Sequence, residues 1–235
     1  MSKHAISLED IRRAAHLLSG IVHRTPALEN LEVNALLAGR LLLKAENLQR
    51  TGAFKIRGAY NRISRMSAPE RARGVVTYSS GNHALGVARA AQMLGLSAII
   101  VMPSDMPEAK MQATRALGAE IAIFERDTQD SAEIVAAMEA ETGRIEVPPS
   151  AYVQVLAGAG TAGLELLEDA GKPDTVLVPC GGGLTAATAM SWPRPYRRHR
   201  CLQPSPSISM SQNPRTTRAS VCPIPRANAP FVMRS

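Results

Sequence analysis

The feature that most constrains this chain is an alternation of short apolar runs with longer amphipathic segments over residues 1–190. Ser7 is predicted to cap the first helix, with Asp10 completing a capping box. Short apolar strands separated by helices indicate parallel sheets with helices on both faces, so we expect an α/β fold. Strands are expected at 40–45, 74–78, 97–102, 120–124 and 175–179, and helices at 8–19, after Lys55, and at 83–94, 107–117, 128–142 and 160–170.

Residues 191–235 differ in kind from the rest of the chain. They hold eight of the sixteen prolines and eight arginines, but no lysine and no acidic residue. Their charge of +8 leaves −1 for the other 190 residues, so the net charge of +7 does not indicate a nucleic-acid partner for the folded part. The composition predicts a disordered, basic Pro/Ser/Arg-rich tail. The abrupt change after Met190 resembles translation in a shifted reading frame, a hypothesis that sequencing the gene tests.

Cysteine usage and hydropathy favour a cytoplasmic protein. The three cysteines, Cys180, Cys201 and Cys222, are odd in number and form no CxxC pair, which predicts neither a disulfide framework nor a metal site. No apolar run is long enough to cross a bilayer, and the N-terminus lacks the apolar stretch of a signal peptide. We therefore expect no membrane partner.

Three motifs stand at predicted junctions between strands and helices. In TGAFKIRGA (51–59), Lys55 lies near a helix start, where the dipole disfavours the ammonium form. In SSGNHA (79–84), a helix start offers backbone N–H groups to an anion. In VPCGGGL (178–184), consecutive glycines let the backbone wrap an anion. Each alone also fits a structural explanation: a surface lysine, a capped turn or a flexible loop.

These motifs in this order, with LKAENLQ (43–49) and AGAGT (157–161), resemble the fold-type II, pyridoxal-phosphate-dependent threonine dehydratase and serine racemase family. The resemblance ends near residue 189. It implies a tryptophan-synthase-β-like α/β fold with two open parallel-sheet domains. Residues 1–50 and 149–190 then form an incomplete large domain, 51–148 the small domain and 191–235 the tail.

The resemblance also implies a role for each cofactor-binding residue. Lys55 forms the aldimine with pyridoxal 5'-phosphate and then removes the substrate Cα proton. Phe54 packs near the cofactor ring, and Asn82 hydrogen-bonds its phenolic oxygen. The cofactor phosphate is held by Gly181, Gly182, Gly183 and Leu184.

By the same resemblance, the substrate carboxylate is surrounded by Ser79, Ser80, Gly81 and His83, largely through backbone N–H groups. In racemases the serine matching Ser80 is the base on the opposite face. The implied reaction is β-elimination from threonine or serine, which gives a 2-oxo acid and ammonia. The alternatives are serine racemase-like activity, hydroxyaspartate dehydratase activity and a non-catalytic truncated remnant. A basic-tailed nucleic-acid binder ranks last because no reader motif is present.

Several departures from the family pattern leave the substrate and the activity open. Ala53, Leu85 and Ala159 stand where many members carry serine, glutamine and glutamine, and the glycine loop is one residue short. Family members are often homodimers, but much of the large domain is absent. A sheet cut short exposes an edge and apolar surface, so we expect poor solubility or aggregation.

Overall fold

The computed structural model describes residues 6–150, 152–171, 173–179, 188, 198–201 and 230–234. Ser7 caps the first helix and forms the predicted capping box with Asp10. A short 3-10 turn occupies Glu46–Leu48. The helices are α1 (Leu8–Leu18), α2 (Leu31–Leu37), α3 (Lys55–Ile63), α4 (Ala68–Arg73), α5 (Asn82–Leu94), α6 (Glu108–Arg115), α7 (Ser131–Thr142) and α8 (Val153–Ala170). The strands are β1 (Ala27–Glu29), β2 (Leu42–Lys44), β3 (Val75–Tyr78), β4 (Ala98–Pro103), β5 (Glu120–Phe124), β6 (Ile145–Glu146), β7 (Thr175–Pro179), β8 (Arg198–Cys201) and β9 (Pro230–Arg234).

A four-stranded parallel sheet in the order β5-β4-β3-β6 organises residues 75–146. From β3 the chain moves outward through β4 to β5 and then returns to place β6 on the other side of β3. The strand order therefore reverses at β3. In open α/β sheets, ligands bind beyond the carboxyl ends of the strands at such a reversal. The fold thus predicts a site beyond Tyr78 and Glu146, the last residues of β3 and β6.

Helices cover both faces of this sheet, as the strand pattern predicted. On one face, residues of α3 and α5 pack against Val75 and Ile100. On the other face, α7 packs against Val76 and Val101. Consecutive residues of one strand thus belong to different cores because side chains alternate across a strand. The α/β class is confirmed.

Two glycines let α3 and α8 meet backbone to backbone. A Cβ on Gly58 would lie 2.6 Å from the Val155 carbonyl oxygen, and one on Gly158 would lie 2.3 Å from the Arg57 carbonyl oxygen. The expected helix start at residue 160 was wrong, because α8 already begins at Val153 and includes AGAGT. The glycines of AGAGT lie within α8. The close approach of α3 leaves no room for a larger side chain at Gly158.

The segment after α8 also departs from expectation. The prediction of a structureless tail is wrong for β8 and β9, because β9 pairs antiparallel with both β7 and β8. The apolar segment PFVMR can hydrogen-bond to the open edge of β7, and composition alone did not reveal this pairing. Besides the parallel sheet, the described residues therefore form two antiparallel sheets, β1-β2 and β7-β9-β8, whereas we expected a second parallel sheet. Sequence patterns also missed β1, β6, α2 and α4.

Candidate active site

Lys55 is the first residue of α3, and its side chain is half-buried. The ammonium nitrogen Nζ donates a hydrogen bond to the Pro149 carbonyl oxygen at 2.8 Å and lies 5.3 Å from the centre of the Phe54 ring. Burial lowers the pKa of the Lys55 amine below its ordinary value. A larger fraction of this amine is therefore uncharged, and hence nucleophilic, near neutral pH than for an exposed lysine.

The turn between β3 and α5 is open at its tip. The Ser79 hydroxyl accepts a hydrogen bond from the Gly81 N–H at 3.1 Å, and Gly81 begins α5 without a side-chain cap. A Cβ on Gly81 would meet no atom within 4 Å, and the side chains of Ser80 and Asn82 are exposed. An accessible helix start of this kind suits an anionic group. The predicted roles of these residues remain predictions.

The structure brings the first two motifs together. Gly86 lies one turn into α5, and a Cβ there would be 3.0 Å from the Lys55 carbonyl carbon and 3.1 Å from the Ile56 nitrogen. The backbone at the start of α3 therefore touches α5. This contact places Lys55 and the turn before α5 at the same edge of the parallel sheet.

His83 is the second residue of α5, and its side chain is only 3% exposed. Its Nε2 lies 2.9 Å from the Val147 carbonyl oxygen, which also accepts the Thr77 hydroxyl at 2.7 Å. Burial lowers the pKa of His83 to about 4, and the Val147 bond opposes that shift only in part. The ring is therefore neutral at pH 7, and its contact with a carbonyl makes Nε2 the donor. The buried Nδ1 has no hydrogen-bond partner among the described residues.

Residues 147–149, which we call the carbonyl segment, lie directly after β6 at the strand reversal. The Val147 N–H continues the sheet by donating to Val76, while the carbonyls of Val147 and Pro149 accept the side chains of His83 and Lys55. Sequence reasoning missed this segment because β6 has only two residues. The run VPPS after a strand was the available signal.

Arg57, two residues beyond Lys55, is a second group that sequence reasoning left without a role. Its guanidinium is fully buried and forms bidentate bonds with Glu46 and Glu165, with four N–O distances of 2.7–2.9 Å. It also donates to the Thr161 hydroxyl at 3.1 Å. This network fixes the start of α3 against α8 and the turn after β2.

Part of the predicted site falls outside the described residues. This part is the glycine loop with Gly181, Gly182, Gly183 and Leu184, so its phosphate-binding role stays a prediction. In the described part of the chain, no three histidine, cysteine or carboxylate side chains are placed to hold a metal ion. No helix there is long and apolar enough to cross a membrane.

The chain is 46% identical over 178 residues to L-threonine ammonia-lyase of Thermotoga maritima and covers 44% of that protein with 76% of its own length. It is 43% identical over 186 residues to L-threo-3-hydroxyaspartate ammonia-lyase of Pseudomonas sp, covering 58% of it with 79% of its own length. It superposes on the crystal structure of serine racemase from Dictyostelium discoideum with a TM-score of 0.74 and 33% identity, over 80% of this chain and 62% of that one.

The chain thus spans about half the length of the curated relatives it matches. The family described as pyridoxal-phosphate dependent enzyme matches residues 18–226. That match extends past residue 190, whereas the two pairwise alignments cover 178 and 186 residues. Because the match takes in most of the chain, the chain belongs to the pyridoxal-phosphate dependent enzyme family.

Proposed function

We propose that this chain binds pyridoxal phosphate through Lys55 and catalyses β-elimination from a small hydroxy amino acid, threonine or serine, to a 2-oxo acid and ammonia. The observation that carries the proposal is Lys55, whose amine pKa is lowered by burial and whose backbone lies against Gly86 of α5. The relatives named as ammonia-lyases of threonine and of 3-hydroxyaspartate support this reaction class.

The described residues fit the cofactor. Lys55 supplies an amine that is partly shielded from water, and Phe54 supplies an aromatic face beside it. The open turn before α5 supplies backbone N–H groups and the exposed amide of Asn82. When bound, pyridoxal phosphate withdraws electrons from the Cα of an amino acid and so acidifies its proton.

The chain's own residues would supply binding and proton transfer. The start of α5 would hold the substrate carboxylate through N–H groups, which fixes the amino acid relative to Lys55. The Lys55 amine would take the Cα proton, because burial makes its uncharged form more available near neutral pH. Ser79 keeps the turn in shape by accepting the Gly81 N–H. Phe54 covers one side of the amine and limits its access to water.

The test begins with cofactor attachment. Purified chain mixed with pyridoxal phosphate should develop the visible absorption band of lysine-bound cofactor, and borohydride reduction followed by peptide mass spectrometry should locate the label on Lys55. Lys55→Ala should remove both signals. Lys110→Ala, at an exposed position of α6, should leave both unchanged. Absence of the band in the parent chain would refute the proposal.

Product assays then separate the reactions. A coupled assay for 2-oxo acid from L-threonine, L-serine and L-threo-3-hydroxyaspartate should show turnover with at least one substrate. A serine racemase-like activity is the second candidate, supported by the superposition on serine racemase and by the exposed hydroxyl of Ser80 at the site. It would produce D-serine, and Ser80→Ala should abolish that product. Attachment without any product would identify a non-catalytic remnant.

We also propose a division into a small domain over 51–148 and an incomplete large domain from 1–50 and 149–190. The α3–α8 packing joins the two through Gly58 and Gly158. The odd number of cysteines and the lack of a CxxC pair support a reducing, cytoplasmic location. Assembly as a homodimer, frequent in the family, stays a proposal that sedimentation would test.

A further inference from the structure

The His83 side chain performs a task that backbone N–H groups alone do not explain. Binding a carboxylate through the N–H groups of α5 requires no particular side chain at position 83. Yet the ring is buried at 3% exposure, and Nε2 is bonded to a carbonyl outside its own helix. Burying an imidazole costs free energy. We therefore expect its hydrogen bond with Val147 to contribute to the structure of the site.

The hydrogen bond between His83 and Val147 is connected to Lys55 through a short stretch of backbone. Val147 accepts Nε2 of His83 at 2.9 Å, and two residues later the Pro149 carbonyl accepts Nζ of Lys55 at 2.8 Å. The two prolines at 148 and 149 restrict the backbone between the two acceptors. A displacement of Val147 is therefore transmitted to the carbonyl that orients the amine.

We propose that His83 is a positioning residue for Lys55, acting through the carbonyl segment whose Val147 and Pro149 oxygens accept the two side chains. The neutral ring donates from Nε2 and locks the segment to α5. Because Gly86 of the same helix touches the Lys55 backbone, α5 fixes both the base and the tip of the lysine side chain. Among the described residues, none accepts a hydrogen bond from the buried Nδ1. Protonating Nδ1 would therefore leave a buried donor unsatisfied, which keeps the ring neutral beside the amine.

This inference rests on the proposed function only in taking Lys55 as the reactive amine, and its test needs neither cofactor nor turnover. The matched pair is His83→Gln and His83→Asn. Both amides are neutral, but only glutamine places a donor where Nε2 lies. The measurement is the pH dependence of Lys55 acetylation by acetic anhydride, followed by peptide mass spectrometry on the folded, cofactor-free chain.

His83→Gln should keep the parent's midpoint and rate for Lys55. In His83→Asn the segment is released and water reaches the amine, so the midpoint should rise toward the ordinary lysine value of about 10.4. At pH 8 the labelling rate should then fall several-fold. Identical Lys55 profiles in two folded variants would overturn the proposal, even if both bind cofactor.

If His83→Asn does not fold, a measurement on the parent chain still tests the proposal. Nitrogen-15 spectra of histidine-labelled protein at pH 7 should show the His83 ring neutral, with the proton on Nε2 and Nδ1 as a bare acceptor. A charged ring, or one protonated on Nδ1, would overturn the proposal because neither could lock the segment as described.

Discussion

Arg57→Met should destabilise the fold severely, although it leaves Lys55 in place. Methionine has a helix propensity close to that of arginine, so α3 itself should tolerate the change. What disappears is a guanidinium that is fully buried and bonded on both sides to Glu46 and Glu165. Removing one partner from a buried ion pair typically costs about 3–5 kcal/mol, because the remaining charge is left without compensation.

The surroundings indicate which carboxylate would bear that cost. Glu165 would keep the ammonium of Lys44 at 2.7 Å, which is itself nearly buried. Glu46 would keep only the Thr25 hydroxyl at 2.5 Å among the described residues, and no cation. Adding Glu46→Gln to Arg57→Met should therefore recover about 1–3 kcal/mol, the usual cost of an unpaired buried polar group.

Urea unfolding followed by far-ultraviolet circular dichroism measures all four members of this cycle, with equal slopes as the check on two-state behaviour. Glu46→Gln alone should destabilise the parent chain, yet stabilise the Arg57→Met variant. That reversal of sign is the decisive feature. A loss below about 1 kcal/mol for Arg57→Met, or simple additivity of the two changes, would refute the assignment of Arg57 as a charge-compensating clamp.

Three further predictions concern packing, pH and surface. Gly158→Ala should cost about 1–3 kcal/mol in urea unfolding because its Cβ meets the α3 backbone, while Gly39→Ala, whose nearest atom is at 3.7 Å, should be tolerated. Because His83 has a pKa of about 4 when folded and an ordinary pKa of about 6.5 when unfolded, the unfolded chain binds more protons between these values. Stability should therefore fall as pH drops through that window, by about 3 kcal/mol in total, and His83→Gln should flatten the decline. Leu31 and Leu36 are 80% and 86% exposed on α2, so the chain should elute from size exclusion as oligomer or aggregate. Replacing both by lysine should reduce that association, and a monodisperse parent monomer would contradict the prediction.

Local signals were strong enough to predict much of the fold. Strands at 120–124 and 175–179 match β5 and β7, and the capping box at Ser7 begins α1 as expected. These elements have either a short, continuous apolar run or a cap whose hydrogen bonds involve neighbouring residues only. Nothing distant in the chain is needed to specify them.

The elements that were missed depend on tertiary contacts. The two residues of β6 are a strand only because β3 lies beside them, and the Gly/Ala run of α8 is helical against the backbone of α3. The same explanation applies to the site. Lys55 and the turn before α5 were predicted, but the Pro149 and Val147 carbonyls are backbone groups, which no side-chain motif identifies.

The proposed site has two parts, and each part follows strands of a different sheet. The amine part, from Lys55 through the turn before α5 to the carbonyl segment, is built on the β3–β6 reversal of a parallel sheet. The predicted phosphate loop follows β7, which in this chain pairs with β9 rather than with a parallel neighbour. Attachment of a carbonyl compound to Lys55 requires only the first part, whereas orientation of a phosphorylated cofactor requires both. Pyridoxal, which lacks the phosphate, should therefore label Lys55 with the same pH dependence as pyridoxal phosphate. The ratio of their affinities measures how much the loop after β7 contributes.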